Sequence, residues 1–440
     1  MFYNRKFAKM DVLKEFLLLL WGGISLLLIS SVESILIHII TMWFTTALAI
    51  IFCNFQILHP YFWFSISFSL YNSAYPILSL LGYDHYGYTT ENMLLSQIAL
   101  VVTLIIITPQ VVNVTEYPKN EIQINLSITK KAVAFFAIIG LLCAIIIHLK
   151  GYANKTQLAA SGDISYRIGV YAVRYLCMFL LFYMTTILGK KEDIDLRIVI
   201  VSFVASLLFM LYTGERDALF RYLMIVALVL FAYNRIKAKT IIILVPLAMI
   251  VMILSVYFRN YFTSGIINSE YTDSNNFLVM FLNTDFSAAS SNLQFLLNKE
   301  GTMGSQGFKL IITELLSPFL PSGILFSPDH WFNYEVHTGG YHGYAFTLVG
   351  TGYIISGRIG VVVLFIIVGF ICKMLYRLST KNLYTMSCYI YMITTIIASF
   401  RQSLTTLVSP IMRIVLLSIL ASWIFAQDQL FHKNYHSKSN

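Results

Sequence analysis

Apolar residues in this 440-residue chain come in long blocks separated by short polar turns, without the alternation that marks a half-buried strand. Roughly 20 apolar residues span the hydrocarbon core of a bilayer as a helix. Blocks near that length fall at 15–32, 35–57, 60–82, 93–113, 131–149, 166–188, 195–213, 216–233, 240–257, 355–377, 383–400 and 409–427. They predict about twelve transmembrane helices, with both ends of the chain on one side. Lys14 and Glu15 directly precede the first block and no small-residue cleavage site follows it, which reads as a retained helix and not a signal peptide. One interval, Arg259 to Thr351, breaks the rhythm. Its segments 277–297 and 308–320 are too short or too interrupted to span, and read as half-helices that lie on the membrane or re-enter it.

Composition agrees with a membrane protein: 58% of the residues are hydrophobic, 12% are charged and the mean hydropathy is +0.74. The net charge of +9 does not indicate nucleic acid, because no basic patch interleaves with aromatic residues outside the apolar blocks. Topology explains it. With the N-terminus in the cytoplasm, Lys14, Lys119, Lys130, Lys131, Lys190, Lys191, Lys237, Lys239 and Lys381 all fall on the inner side, as the positive-inside rule requires. The long insert is then extracytoplasmic. Three regions follow: an N-terminal transmembrane bundle at 1–257, an extracytoplasmic catalytic insert at 258–354, and C-terminal helices with a cytoplasmic tail at 355–440. Cys53, Cys143, Cys177, Cys372 and Cys388 sit in apolar runs without CxxC spacing, which suggests neither a disulfide frame nor a zinc site.

The same map separates the two cations. Arginine supplies eight of the twelve positive residues outside but only four of the eighteen inside. Arg174, Arg221 and Arg413 fall one to two turns inside outer helix ends, where a cation is costly and often functional. A guanidinium matches phosphate oxygens bidentately, so the cluster as a whole favours an anionic ligand, while any single arginine could instead snorkel or pair with Glu215, Asp217 or Asp285. The sharpest short motif is YTGERDALFRY, Tyr212 to Tyr222. Thr213 or Gly214 is placed to cap the helix after it, and Arg216 and Arg221 lie near that helix's positive end, an arrangement suited to an anion. In the insert, Asp329, His330, Glu335, His337 and His342 bring acid–base groups into a Pro- and Gly-broken stretch, while Trp331, Phe332, Tyr334, Tyr341 and Tyr344 offer flat faces of the kind that pack on sugar rings. The histidine spacing matches no ordered ligand set, so no metal or other cofactor is expected.

TGERDALFRY, followed by an insert that ends in Gly-Gly-Tyr-His-Gly-Tyr-Ala-Phe-Thr-Leu and a helix start carrying Tyr353, Gly357 and Gly360, resembles the O-antigen and capsule oligosaccharide repeat-unit polymerases of the Wzy type. The likeness covers about residues 200–375. Departures from the family pattern are Glu215 in the small-residue place before Arg216, and Thr351 where an acid usually stands. Arg216 is therefore the best carried-over position. The resemblance implies a glycosyltransferase C-like membrane fold and transfer between lipid-linked glycans at the outer face of a bacterial inner membrane. The growing chain on undecaprenyl pyrophosphate would pass to the non-reducing end of the next repeat, with the bilayer and a chain-length regulator protein as candidate partners. Under it, Arg216, Arg221, Arg259 and Arg401 are the pyrophosphate-binding candidates. His337 or His342 would be the base, Glu335 would orient the imidazole, and Trp331, Tyr334, Tyr341 and Tyr344 would bind sugar. An O-antigen ligase would use the same chemistry, and a polysaccharide flippase has a similar span count but calls for two similar halves, whereas no internal repeat is present.

Overall fold

The structure is a computed structural model that describes residues 2–111, 126–152, 158, 161–237, 239–240, 277–282, 285–299, 305–316, 319, 331–332, 347–402 and 404–421. Among the described residues every regular element is helical: α1 (Phe2–Ser31), α2 (Ile35–Phe52), α3 (Pro60–Leu80), α4 (Thr90–Ile107), α5 (Leu126–Leu149), α6 (Ile164–Gly189), α7 (Leu196–Thr213), α8 (Arg216–Ala232), α9 (Phe277–Leu282), α10 (Asp285–Asn298), α11 (Ser305–Leu316), α12 (Leu348–Leu378), α13 (Leu383–Ser399) and α14 (Thr405–Pro410), which runs on into a π-helical turn, Ile411–Leu416. Seven of these are long and apolar enough to cross a membrane, and Leu383–Ser399 and Thr405–Ala421 are shorter apolar helices. The chain is an all-α, multi-pass membrane protein. Predicted segment 240–257 lies almost wholly outside the described residues.

Three boundaries differ from the apolar blocks, each for a local reason. α2 stops at Phe52 because Asn54 and Phe55 take left-handed backbone conformations, with φ of 54° and 57°. α4 stops at Ile107, where Thr108 (φ 69°) precedes Pro109. α12 is two arms, broken at Ser356 and Gly357. The arms press together so closely that a Cβ on Gly360 would lie 2.1 Å from the Gly352 carbonyl oxygen. The first arm, 348–355, is therefore a short helix folded back on the second, and Arg358 pins the break to the first turn of α4 by a two-pronged pair with Glu91 (Nε–Oε1 2.8 Å, Nη2–Oε2 2.5 Å).

The chain divides into two compact units, Met1–Asn113 with Tyr271–Arg377 and Thr395–Ser409, and Val114–Glu270 with Leu378–Thr394 and Pro410–Asn440. In the first, α1 to α4 are joined by buried polar side chains, the means of helix association left when lipid removes the hydrophobic drive. The Gln97 amide donates to Ser25 (2.9 Å) and Thr45 (2.8 Å), and the Trp21 indole also donates to Thr45 (2.8 Å). His38 donates from Nε2 to the Val32 carbonyl (2.6 Å), which leaves Nδ1 to accept from the Tyr88 hydroxyl (2.8 Å). α10 docks on α3 and α4. The Ser290 hydroxyl enters the α3 ladder just before Pro76, accepting from Tyr75 N–H (3.0 Å) and donating to the Tyr71 carbonyl (3.0 Å).

In the second unit α5, α6 and α7 pack along their lengths, and their apolar core includes Cys143, Ala144, Val173 and Phe209. Asp163 caps α6 through the Ser165 N–H (2.7 Å) and also accepts from Lys150 Nζ (2.6 Å) and Tyr152 (2.7 Å). The Lys150 ammonium, seconded by Tyr152, holds the Asp163 carboxyl well below the usual carboxylate range.

Candidate functional site

The Tyr212–Tyr222 motif builds the site. Gly214 is left-handed (φ 71°) and closes α7 through its N–H to the Met210 carbonyl at 2.8 Å. This corrects the expectation that Thr213 or Gly214 caps α8: Glu215 occupies that cap position, and the Thr213 hydroxyl turns back to the Phe209 carbonyl (2.6 Å) while accepting the Glu215 N–H (3.1 Å). Glu215 in turn accepts from the Tyr166 hydroxyl at 2.7 Å. Its carboxylate thus ties the start of α8 to α6, and the first turn of α8 carries Arg216, which is partly buried, and Asp217.

One turn on, Arg221 is sealed in the protein with its side chain 1% exposed. Its Nε donates to Asp217 Oδ2 at 2.7 Å, Nη1 lies 3.4 Å from the Thr394 hydroxyl, and the guanidinium sits 5.7 Å from the centre of the Tyr391 ring. Arg174 of α6 approaches the same Asp217 oxygen, at 3.7 Å, and stays 23% exposed. Two guanidinium groups therefore share one carboxylate, one held tightly and the other loosely.

Arg174, Arg221, Asp217 and Glu215 line a small cleft whose remaining walls are Val170, Val173, Cys177, Phe209 and Ala218. Further along α6, Tyr171 accepts from Arg413 Nη1 at 2.6 Å, and Tyr175 donates to the Arg413 carbonyl. Among the described residues the cleft is lined by two arginines (174 and 221) and two acids (215 and 217), and Arg216 opens α8 next to Glu215. Arg174, 3.7 Å from its carboxylate, is the guanidinium with slack to meet an anion.

The remaining predicted site residues fall elsewhere or outside the described residues. Arg401 is half-buried in the first unit, in the break between α13 and α14. Trp331 is buried with Leu296, Phe332 and Ile354, and Phe295 and Tyr353 pack on that cluster, so its indole supports the cluster more than it offers a free face. Arg259, Tyr334, Glu335, His337, Tyr341, His342 and Tyr344, with Asp329 and His330, lie outside the described residues. Sequence reasoning missed the pairing of Arg174 with Arg221 through Asp217, which joins α6 to α8 and leaves no spacing signal. It also missed Tyr166, Tyr391 and Thr394, each an ordinary residue of an apolar helix.

The arginine-bearing turn and the multi-pass helical bundle are the features that the sequence resemblance anticipated, whereas the folded-back arm of α12 was not foreseen. The model of the O-antigen polysaccharide polymerase Wzy family matches residues 12–433. The chain belongs to this family. No curated protein and no solved structure matches it. The Wzy match runs over both compact units and takes in the α7–α8 turn, the insert and the hairpin of α12. As a Wzy polymerase, the chain builds polysaccharide from within a membrane, and its arginine-lined cleft belongs to a protein whose family handles O-antigen.

Proposed function

We propose that this Wzy polymerase joins oligosaccharide repeat units carried on undecaprenyl pyrophosphate, at the outer face of the bacterial inner membrane, and that the arginine cleft receives the pyrophosphate. The observation that carries the reading is the shared carboxylate: Asp217 fixes Arg221 at 2.7 Å and holds Arg174 at only 3.7 Å. In the reaction, the non-reducing-end hydroxyl of the incoming repeat attacks the anomeric carbon of the growing glycan. The new glycosidic bond forms as the bond to pyrophosphate breaks, and the electron pair leaves on the pyrophosphate. Preorganised guanidinium groups stabilise that charge without reorganising, which is the largest electrostatic contribution such a step can receive, and no metal is called for. Arg216 and Arg174 are the arms that reach the phosphates, while Arg221 sets their geometry through Asp217 and adds its charge. Arg259 and Arg401 are each tested singly for a contribution to pyrophosphate binding.

The acceptor proton passes to His337 or His342, a neutral imidazole being the side chain best matched to accept a proton near pH 7, with Glu335 orienting the ring. Tyr334, Tyr341 and Tyr344 stack on the glycan. A chain-length regulator acts as partner. Deleting the protein tests the function: the strain is expected to display single-repeat surface polysaccharide and to accumulate undecaprenyl-linked single repeats. A strain that lacks surface repeats altogether points to a ligase or flippase and refutes the polymerase reading.

A further inference from the structure

The second arm of α12 runs from Arg358 to Leu378, about 30 Å at 1.5 Å per residue, which is the depth of a bilayer's hydrocarbon. Helical spacing puts Ile359, Val363, Ile366, Phe370, Lys373 and Arg377 in one row. The first four are 70%, 49%, 40% and 60% exposed, which on a spanning helix marks a face turned to lipid. The row then ends on two cations.

Lys373 stands five residues, about 7 Å, before the end of α12, half-buried and one turn beyond the exposed Phe370. Among the described residues it makes no hydrogen bond or ion pair, although Arg377 and Glu15 of α1 lie within electrostatic reach. The positive-inside signal is carried by the loops that flank a span, and it needs no cation at this depth. Snorkelling is hindered as well, because the Cβ of a helical residue tilts toward the helix N-terminus, here toward the bilayer interior. An ammonium so placed calls for a negative partner. Arg377, one turn on, is exposed, and its Nη2 donates to Gln110 Oε1 at 3.2 Å. Next to it Tyr376 meets the His59 ring edge-on at 4.9 Å. Alongside the row α12 rides directly on α4, where a Cβ on Gly369 would lie 3.0 Å from Ile106 and 3.1 Å from the Thr103 carbonyl oxygen. The helix that carries both cations is thus pinned before any ligand arrives, as a preorganised site requires.

We propose that Lys373 and Arg377 bind the phosphate of one anionic phospholipid, whose acyl chain lies against Phe370 and Ile366. A guanidinium fork and an ammonium one turn apart present their donors to a single phosphate, and basic sites beside spanning helices hold acidic lipid headgroups. The test is native mass spectrometry of the purified full-length chain, titrated in detergent with dioleoyl phosphatidylglycerol or dioleoyl phosphatidylcholine. The wild-type chain is expected to take up its first phosphatidylglycerol in preference to phosphatidylcholine. Lys373→Gln and Arg377→Gln are each expected to weaken phosphatidylglycerol binding by about fivefold, the worth of one cation beside a headgroup, and to leave phosphatidylcholine unchanged. Lys373→Arg keeps the charge and is expected to bind within about twofold of wild type, while Glu15→Gln, which removes the nearby acid, is expected to bind more tightly. Lys190→Gln, just past the end of α6, controls for diffuse charge and is expected to change nothing. A Lys373→Gln chain that prefers phosphatidylglycerol as strongly as wild type, an equal loss in Lys190→Gln, or displacement of the lipid by an equal concentration of inorganic phosphate overturns the inference.

Discussion

Replacing Asp217 with alanine removes the single carboxylate shared by two guanidinium groups. Arg221 cannot escape to water, being 1% exposed, and the contacts it retains include a hydroxyl at 3.4 Å and an aromatic face at 5.7 Å. Cation–π contact is worth about 0.5–2 kcal/mol and a single long hydrogen bond about as much, whereas removing one partner of a buried ion pair costs about 3–5 kcal/mol. Arg174, 23% exposed, loses a looser partner and adds little, because it can turn toward solvent. A net loss of about 3 kcal/mol corresponds to a fall in thermal midpoint on the order of 10 °C. The assay is thermal challenge followed by size-exclusion chromatography of the detergent-solubilised protein, run for Asp217→Ala, Asp217→Asn, Arg221→Met and the double variant Asp217→Asn with Arg221→Met. The double variant is expected to regain most of the midpoint, since it buries no uncompensated charge. An Asp217→Ala midpoint within about 2 °C of wild type, or a double variant as unstable as the single, refutes the claim that Asp217 neutralises a sealed Arg221.

Gly360→Ala is expected to destabilise more than Gly357→Ala. The first places a Cβ 2.1 Å from the Gly352 carbonyl oxygen and forces the hairpin of α12 open, while the second meets no atom and bears only the backbone cost of a glycine-type conformation, about 1–3 kcal/mol at φ 59°, ψ −138°. The same thermal challenge ranks them, and the reverse order contradicts the hairpin. His59 should give the fold an acid limit. It is fully buried, with Nδ1 accepting from the Tyr61 N–H (3.0 Å), so protonation sets two donors against each other. Burial lowers its pKa from 6.5 to about 4. Because the folded pKa is depressed, stability is intact above pH 6.5 and declines as pH falls through the window down to about 4, by about 3 kcal/mol in all. His59→Asn, which keeps a capping side chain, is expected to flatten the midpoint between pH 6.5 and 4, and an unchanged slope argues against the assignment.

The spans were legible because block hydropathy is a property of local sequence, and most predicted segments coincide with observed helices. What sequence hid was tertiary. α2 ends early at two left-handed residues, one of them Phe55, which carries no turn signal. α3 was expected from its block, but the partners of its polar residues were not: Ser69 meets Thr46, Ser73 accepts from Trp43, Asn72 accepts from Ser96, and the Ser290 hydroxyl enters its ladder from far along the chain. The half-helices of the insert were visible as short apolar runs, yet the burial of Glu314 was not, since a lone acid among Ile312, Leu315 and Leu316 reads as a solvated residue. In the candidate site, Arg216 stood out by motif and Arg221 by its depth in a helix. That Arg221 is locked while Arg174 is loose follows from how α6 and α8 pack around Asp217, which spacing does not encode.

The central claim is that this Wzy-family chain uses guanidinium geometry to polymerise lipid-linked repeats, and reconstitution tests it most directly. The purified protein in proteoliposomes, given undecaprenyl-pyrophosphate-linked repeat units, is expected to produce a ladder of glycans that grow by whole repeats without added metal. Arg216→Ala is expected to abolish the ladder, and Arg216→Lys to restore little of it, because an ammonium keeps the charge but loses the fork. A wild-type protein that folds yet makes no ladder, or an Arg216→Ala variant that extends it at the wild-type rate, contradicts the account.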